Sequence, residues 1–232
     1  MSKFFEKNEL FICILLIVIY LISNSLCMQE FEIGSIPTVI VNILLTLVIC
    51  IFIKFMKLNE YLCLNKVKDS KKYLYFFPLI LIISVNLWNG INLSLSIKEI
   101  ILYILAMIFI GFLEEIIFRE FLLQMMLKDN EKVAIIVTSL TFGIGHIINL
   151  LNGAEVLSTV LQIIYAVSIG YLFAIIVIKS KSIWPCIVTH SMVNALSVFN
   201  QPNEVTKYLG PLFLTIVPII YAIYKEEKLK FA

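Results

Sequence analysis

Eight apolar stretches succeed one another along the chain, separated by short polar segments. They run Leu10–Met28, Pro37–Phe55, Tyr75–Leu95, Ile97–Leu127, Val133–Leu151, Val156–Ile178, Ile183–Phe199 and Tyr208–Tyr224. Crossing a hydrocarbon layer of ~30 Å takes about 20 helical residues. At that depth there is no water to satisfy backbone N–H and C=O groups, so a helix that satisfies its own is the natural solution. The pattern therefore predicts an all-α, polytopic membrane helix bundle of about eight transmembrane helices, with no strand required. Pro78, Pro185, Pro211 and Pro218 fall within or near these stretches, where they are expected to kink helices.

Composition agrees and narrows the class. A hydrophobic share of 61% with only 15% charged residues excludes a soluble domain with a single core. The net charge of +2 is too small to suggest nucleic acid. The lysines report topology instead. Lys3 and Lys7, Lys54 to Lys72, Lys128 and Lys132, Lys179 and Lys181, and Lys225 to Lys230 fall on alternate sides of successive stretches. The opposite loops carry Glu30, Glu32, Lys98 with Glu99, Glu155, and Glu204 with Lys207. The positive-inside rule then places both termini in the cytoplasm. An Ile- and Lys-rich composition with a single arginine points to an AT-rich genome and a bacterium, and hence to a multi-pass protein of the plasma membrane.

Cys13, Cys27, Cys50, Cys63 and Cys186 are odd in number and lack C-x-x-C spacing, so packing is the expected role rather than disulfides or a thiolate metal site. The apolar run after Lys3 and Lys7 is longer than the core of a signal peptide and is expected to remain as an anchor. The most polar interior stretch, Asn59 to Lys72, separates two leading helices from the rest. Three regions are expected: 1–96 with the N-terminal helices and a cytoplasmic Lys-rich loop, 97–200 as the core that carries the chemistry, and 201–232 with the last helix and a short tail. No repeat or phosphate loop is present.

Three polar constellations interrupt the apolar pattern. A charged side chain at bilayer depth costs roughly 2.5–3.5 kcal/mol, so each marks a site by default. The first is Glu114-Glu115 followed by Arg119, the only arginine in the chain. Glu115 and Arg119 are i and i+4, within ion-pair reach on one helix face, whereas Glu114 lies about 100° away and is expected to stay free as a general base and acid. The alternative is an architectural ion network, or Arg119 and Glu120 already at the cytoplasmic surface. The second is Phe142 to His146, with Phe142 and His146 on one face and Gly143 and Gly145 permitting close approach of another backbone. The third pairs His190 with Asn194 at i and i+4, both able to donate hydrogen bonds to a developing oxyanion.

The levels of these groups can be compared. The short connection Lys128–Glu131 makes an antiparallel hairpin of the fourth and fifth stretches, which puts Glu114 opposite about Gly145 and within about one helical rise (~1.5 Å) of the level of His146. Counted from Ser182, His190 lies ~12 Å and Asn194 ~18 Å along the seventh stretch, against ~20 Å for Glu114 counted from Leu127.

These motifs resemble those of the CAAX-protease and bacteriocin-processing family of intramembrane proteases, also called the Abi family, which includes type II CAAX prenyl endopeptidases. The family pattern is two glutamates with an arginine four after the second, a phenylalanine four before a histidine, and a histidine four before an asparagine. Here these are Glu114, Glu115 and Arg119, then Phe142 and His146, then His190 and Asn194, all within about Ile97 to Phe199. The first three stretches and the last carry no recognised motif.

The resemblance implies an endopeptidase that cleaves a peptide bond of a membrane-associated protein or peptide. By it, Glu114 and His146 activate water, His190 and Asn194 hold the oxyanion, and Glu115, Arg119 and Phe142 orient the site. Bacteriocin processing, self-immunity and peptide signalling are the settings it suggests. It favours a glutamate-activated water with no cofactor. Zinc on Glu114, His146 and His190 is the alternative, since two histidines and a glutamate suit a catalytic zinc, although H-E-x-x-H spacing is absent. The partners expected are the lipid bilayer and a membrane-associated substrate. Two other classes stay open: a non-catalytic membrane partner that regulates a sensor or confers immunity, and a proton-coupled transporter, against which stands the lack of an inverted repeat.

Overall fold

The computed structural model describes residues 2–66, 76–201 and 203–228. Every regular element among them is helical: α1 (Lys3–Glu30), α2 (Ile36–Phe55), α3 (Phe77–Ser84), α4 (Ile97–Glu115), α5 (Leu123–Met126), α6 (Glu131–Gly145), α7 (Val156–Ser180), α8 (Trp184–Leu196) and α9 (Thr206–Lys228). A π-helix, Ile116–Leu122, joins α4 to α5 without a break, so that 30 residues from Ile97 to Met126 form one membrane helix. The protein is a multi-pass helix bundle.

Among the described residues six helices are long and apolar enough to cross a membrane, namely α1, α2, α4 through α5, α6 with its extension to Leu150, α7 and α9 up to Tyr224. The other two expected spans are shorter. The third begins at Phe77 and ends, through a 3-10 turn, at Leu87 instead of Leu95; Tyr75 lies outside the described residues. Polar groups end it: Gly90 takes a φ of 94°, and the Asn92 N–H donates to the Phe199 carbonyl across the bundle. The seventh, α8 and a 3-10 turn to Phe199, keeps its expected limits but has only 13 α-helical residues. Pro78 and Pro185 start α3 and α8 at positions where the missing N–H is harmless, rather than kinking them; Pro211 and Pro218 do lie inside α9.

Side chains that the sequence places just before the apolar runs cap the helices. Ser2, Ser35 and Asn130 accept from the backbone N–H three residues on, and Ser96 with Glu99 forms a reciprocal capping box at the start of α4.

The bundle has two distinct ends. At one, Lys128 Nζ lies 2.5 Å from Glu9 Oε2, Tyr61 donates to Glu9, and the Ile183 N–H donates to the Cys63 carbonyl. At the other, Ser25 donates to Asn152, Lys207 pairs with Glu155 at 3.6 Å, and Asn89 donates to Thr206. The core between them includes Leu113, Ile116, Ile117 and Phe118 from α4 and the π-helix and Phe173 and Val177 from α7, all buried. Phe11, Ile51, Ile136, Val188 and Ile220, on five different helices, face outward. An apolar surface on this scale is what lipid covers.

Candidate active site

The two glutamates sit at the last α-helical turn of α4, immediately before the π-helix. Widened turns of this kind occur mostly as local features, frequently at functional sites. Here the widened segment buries Arg119 and Glu120 together, at 1% and 0% exposure, so neither reaches the cytoplasmic surface. The loop after α2 covers this end of the site: the Cys63 backbone N–H donates to Glu120 Oε2 at 2.6 Å. Burial, and then the nearby Glu120 carboxyl, push the Cys63 thiol up to about 11.

Arg119 Nε lies 3.3 Å from Glu115 Oε2, with both side chains buried. The spacing that suggested this pair survives the π-geometry. The guanidinium also lies over the Phe142 ring at 4.0 Å from its centroid, a contact that can reach ~2 kcal/mol when desolvated. Phe142 is the hub of the pocket wall. Its ring meets those of Phe118, His146 and His190 edge-on at centroid distances of 5.3, 5.3 and 5.7 Å.

His190 bridges the glutamates. Its Nδ1 donates to Glu115 Oε1 at 2.7 Å, and its Nε2 lies 3.2 Å from Glu114 Oε2 without an aligned hydrogen bond. The sequence paired His190 with Asn194 on an oxyanion; in the resting geometry both ring nitrogens face carboxylates. Close packing of α8 on α4 makes this possible. A Cβ built on Gly111 would stand 2.8 Å from Ser191 Oγ and 2.9 Å from the Ser191 nitrogen, and Ser191 Oγ donates to the Ile108 carbonyl. Gly143 plays the same part between α6 and α7, where a Cβ would stand 2.9 Å from the Ile163 carbonyl oxygen; Gly145 meets nothing closer than 4.0 Å and is not needed for close approach.

Glu114 is not free, as the sequence suggested, but held from an unexpected direction. Tyr20 Oη, on α1, donates to Glu114 Oε1 at 2.6 Å. A tyrosine in an apolar stretch reads as packing, and nothing in its spacing marks a partner 94 residues away. Its hydroxyl at mid-helix was the only available signal.

Glu114, His146, His190 and Asn194 line one cavity of about 520 Å³, with Tyr20 beside Glu114. That volume is within the ~300–1,000 Å³ typical of ligand pockets. His146, at the junction of α6 with a 3-10 turn, has Nδ1 3.4 Å from Gln162 Nε2, and Gln162 Oε1 accepts from Asn149 at 2.8 Å. The Asn194 carboxamide makes no hydrogen bond among the described residues and faces the cavity. The set expected for zinc, Glu114, His146 and His190, lines this one cavity, but among the described residues no three His, Cys, Asp or Glu side chains are grouped closely enough to hold a metal ion. Both nitrogens of His190 face carboxylates, and His146 Nδ1 faces Gln162.

No curated protein and no solved structure matches the chain. Residues 96–196 match the family model described as Type II CAAX prenyl endopeptidase Rce1-like. The match runs from the cap of α4 to the end of α8 and encloses all seven motif residues from Glu114 to Asn194. Over that segment the chain is similar to the Rce1-like family, which is a family of proteases.

Proposed function

We propose that the protein is an intramembrane endopeptidase whose nucleophile is a water activated by Glu114, without a metal. The observation that carries this reading is the position of Glu114 at the wall of the cavity, its carboxylate held by Tyr20 on one oxygen and faced by His190 on the other. A carboxylate held at one oxygen by Tyr20 keeps the other available to accept a proton from a water, and His146 lines the same space to share that water's second proton.

In this reading a peptide enters with its scissile carbonyl oxygen toward the Asn194 carboxamide and His190 Nε2. Glu114 removes a proton as the water oxygen bonds to the carbonyl carbon, giving a tetrahedral oxyanion. Donors at such a position are each typically worth ~2.7–4 kcal/mol. The carbon–nitrogen bond then breaks, Glu114 returns the proton to the leaving nitrogen, and a carboxylate and an amine depart. Glu115 and Arg119 orient His190 rather than touch substrate, and Phe142 fixes the guanidinium and both imidazoles.

The substrate is a membrane-associated peptide or small membrane protein, and the setting is the plasma membrane of a bacterium, in peptide processing or self-immunity. Comparing the secreted and membrane-bound peptides of cells carrying the wild type with those carrying Glu114→Gln tests this. Peptides that disappear with the variant identify the substrate. Identical peptide profiles, with both proteins present at equal levels, would leave only a non-catalytic binding role.

A further inference from the structure

The cavity lies off-centre along the bundle. From Glu114 its lining runs through Met107 and Tyr103 on α4, and through His146 and Asn149, to Asn152, Gly153 and Ala154 in the turn before α7. In the other direction it stops at Phe118 and Phe142, behind which Glu115 and Arg119 are buried. The mouth is therefore at the end that carries Glu30, Glu32, Glu99, Glu155 and Glu204 against only Lys98 and Lys207. The closed end is the lysine-rich one, with Lys3, Lys54, Lys57, Lys128, Lys132 and Lys181 among its residues. Lysine excess marks the cytoplasmic side of a membrane protein.

The lining has a second property. Among the described residues it contains no lysine or arginine, and its only carboxylate is Glu114. A free C-terminal carboxylate would find no cation there. Neutral amides are present instead: Asn194 is unengaged, and Asn86 and Asn149 each spend an N–H on a protein acceptor and keep the amide oxygen available. An extended peptide at membrane depth must satisfy its own N–H and C=O groups, and amides accept and donate to both.

We infer that this cavity receives its peptide from the extracytoplasmic side, and that the substrate is an extended, uncharged segment of an exported or membrane-anchored peptide, cut at an internal bond. What is cut rests on the hydrolase reading; the side on which the cavity opens does not.

Single cysteines test the side. Met28→Cys within the cavity, Ala154→Cys at its mouth and Asp129→Cys at the opposite end are introduced separately after Cys27, Cys50 and Cys63 are changed to Ser, leaving only the fully buried Cys13 and Cys186. A membrane-impermeant maleimide is added to intact cells and to permeabilised ones, with total thiol measured after denaturation. Labelling of Ala154→Cys and Met28→Cys in intact cells, and of Asp129→Cys only after permeabilisation, is expected. Labelling of Asp129→Cys in intact cells, with the other two protected, overturns the inference. If Met28→Cys fails to accumulate, Ala154→Cys and Asp129→Cys still decide the orientation.

Two single-span reporters then test the substrate, each with a neutral extended segment, placed just outside the outer end of the span in one and just outside the cytoplasmic end in the other. Cleavage of the first alone is expected, and cleavage of the second alone overturns the inference. If neither is cut by wild type, the hydrolase reading and its substrate fall while the labelling still fixes the side.

Discussion

Tyr20 Oη donates to Glu114 Oε1 at 2.6 Å, tying α1, which carries no recognisable motif, to the carboxylate at the centre of the site. A hydrogen bond to a charged group is worth ~1.5–3 kcal/mol. Tyr20→Phe removes the donor and keeps the ring, so turnover should fall by about 10- to 100-fold with substrate affinity and folded yield unchanged. Initial rates in detergent or liposomes, alongside a thermal melt, check this; a loss of yield equal to the loss of rate would make Tyr20 merely structural.

Arg119 is expected to act on the fold. Removing one partner of a buried ion pair costs ~3–5 kcal/mol, because the other charge is left uncompensated. Arg119→Ala should therefore sharply lower the amount of monodisperse protein recovered by size-exclusion chromatography. Arg119→Lys should recover only part of it, since a lysine cannot lie flat on Phe142 as the guanidinium does. Normal yields of stable but inactive Arg119→Ala would contradict a mainly structural role.

Gly111 sets how closely α8 approaches the glutamates. The Cβ of Gly111→Ala would meet the backbone of Ser191 at 2.9–3.0 Å, which cannot swing away as a side chain can. Moving α8 by a few tenths of an ångström lengthens both His190 contacts, and cleavage should drop at least tenfold. The melting temperature should fall by a few degrees. Gly145→Ala, with open space around it, should leave the melting temperature unchanged and serves as the packing control.

A water activated by the Glu114 carboxylate needs no metal, so under the proposed mechanism cleavage should survive chelation. Purified protein treated with EDTA and with 1,10-phenanthroline should retain its full rate, and elemental analysis should find zinc well below one per chain. Loss of activity restored by added zinc would contradict the metal-free mechanism.

Much of the site was legible because charge inside an apolar run is costly. Glu114, Glu115, Arg119, His146 and His190 stand out for that reason and Asn194 through its i, i+4 spacing from His190, while hairpin counting brings Glu114 and His146 to one level. What depended on lateral packing was not legible. The Tyr20 contact, the bridging of both glutamates by His190, and the burial of Glu120 under the Cys63 backbone all join residues far apart in sequence. The third helix was overextended because Trp88 to Leu95 alternates apolar residues with Asn89, Asn92 and Ser94, and mean apolarity outweighed those turn-forming side chains.

The central claim, that Glu114 delivers water to a peptide bond, is tested most directly with purified protein in liposomes, the substrate peptide and oxygen-18 water. Wild type should release a fragment whose new C-terminal carboxylate carries one heavy oxygen, and Glu114→Gln, folded to the same yield, should release none above the uncatalysed background. Labelled product formed by Glu114→Gln at the wild-type rate would contradict the account.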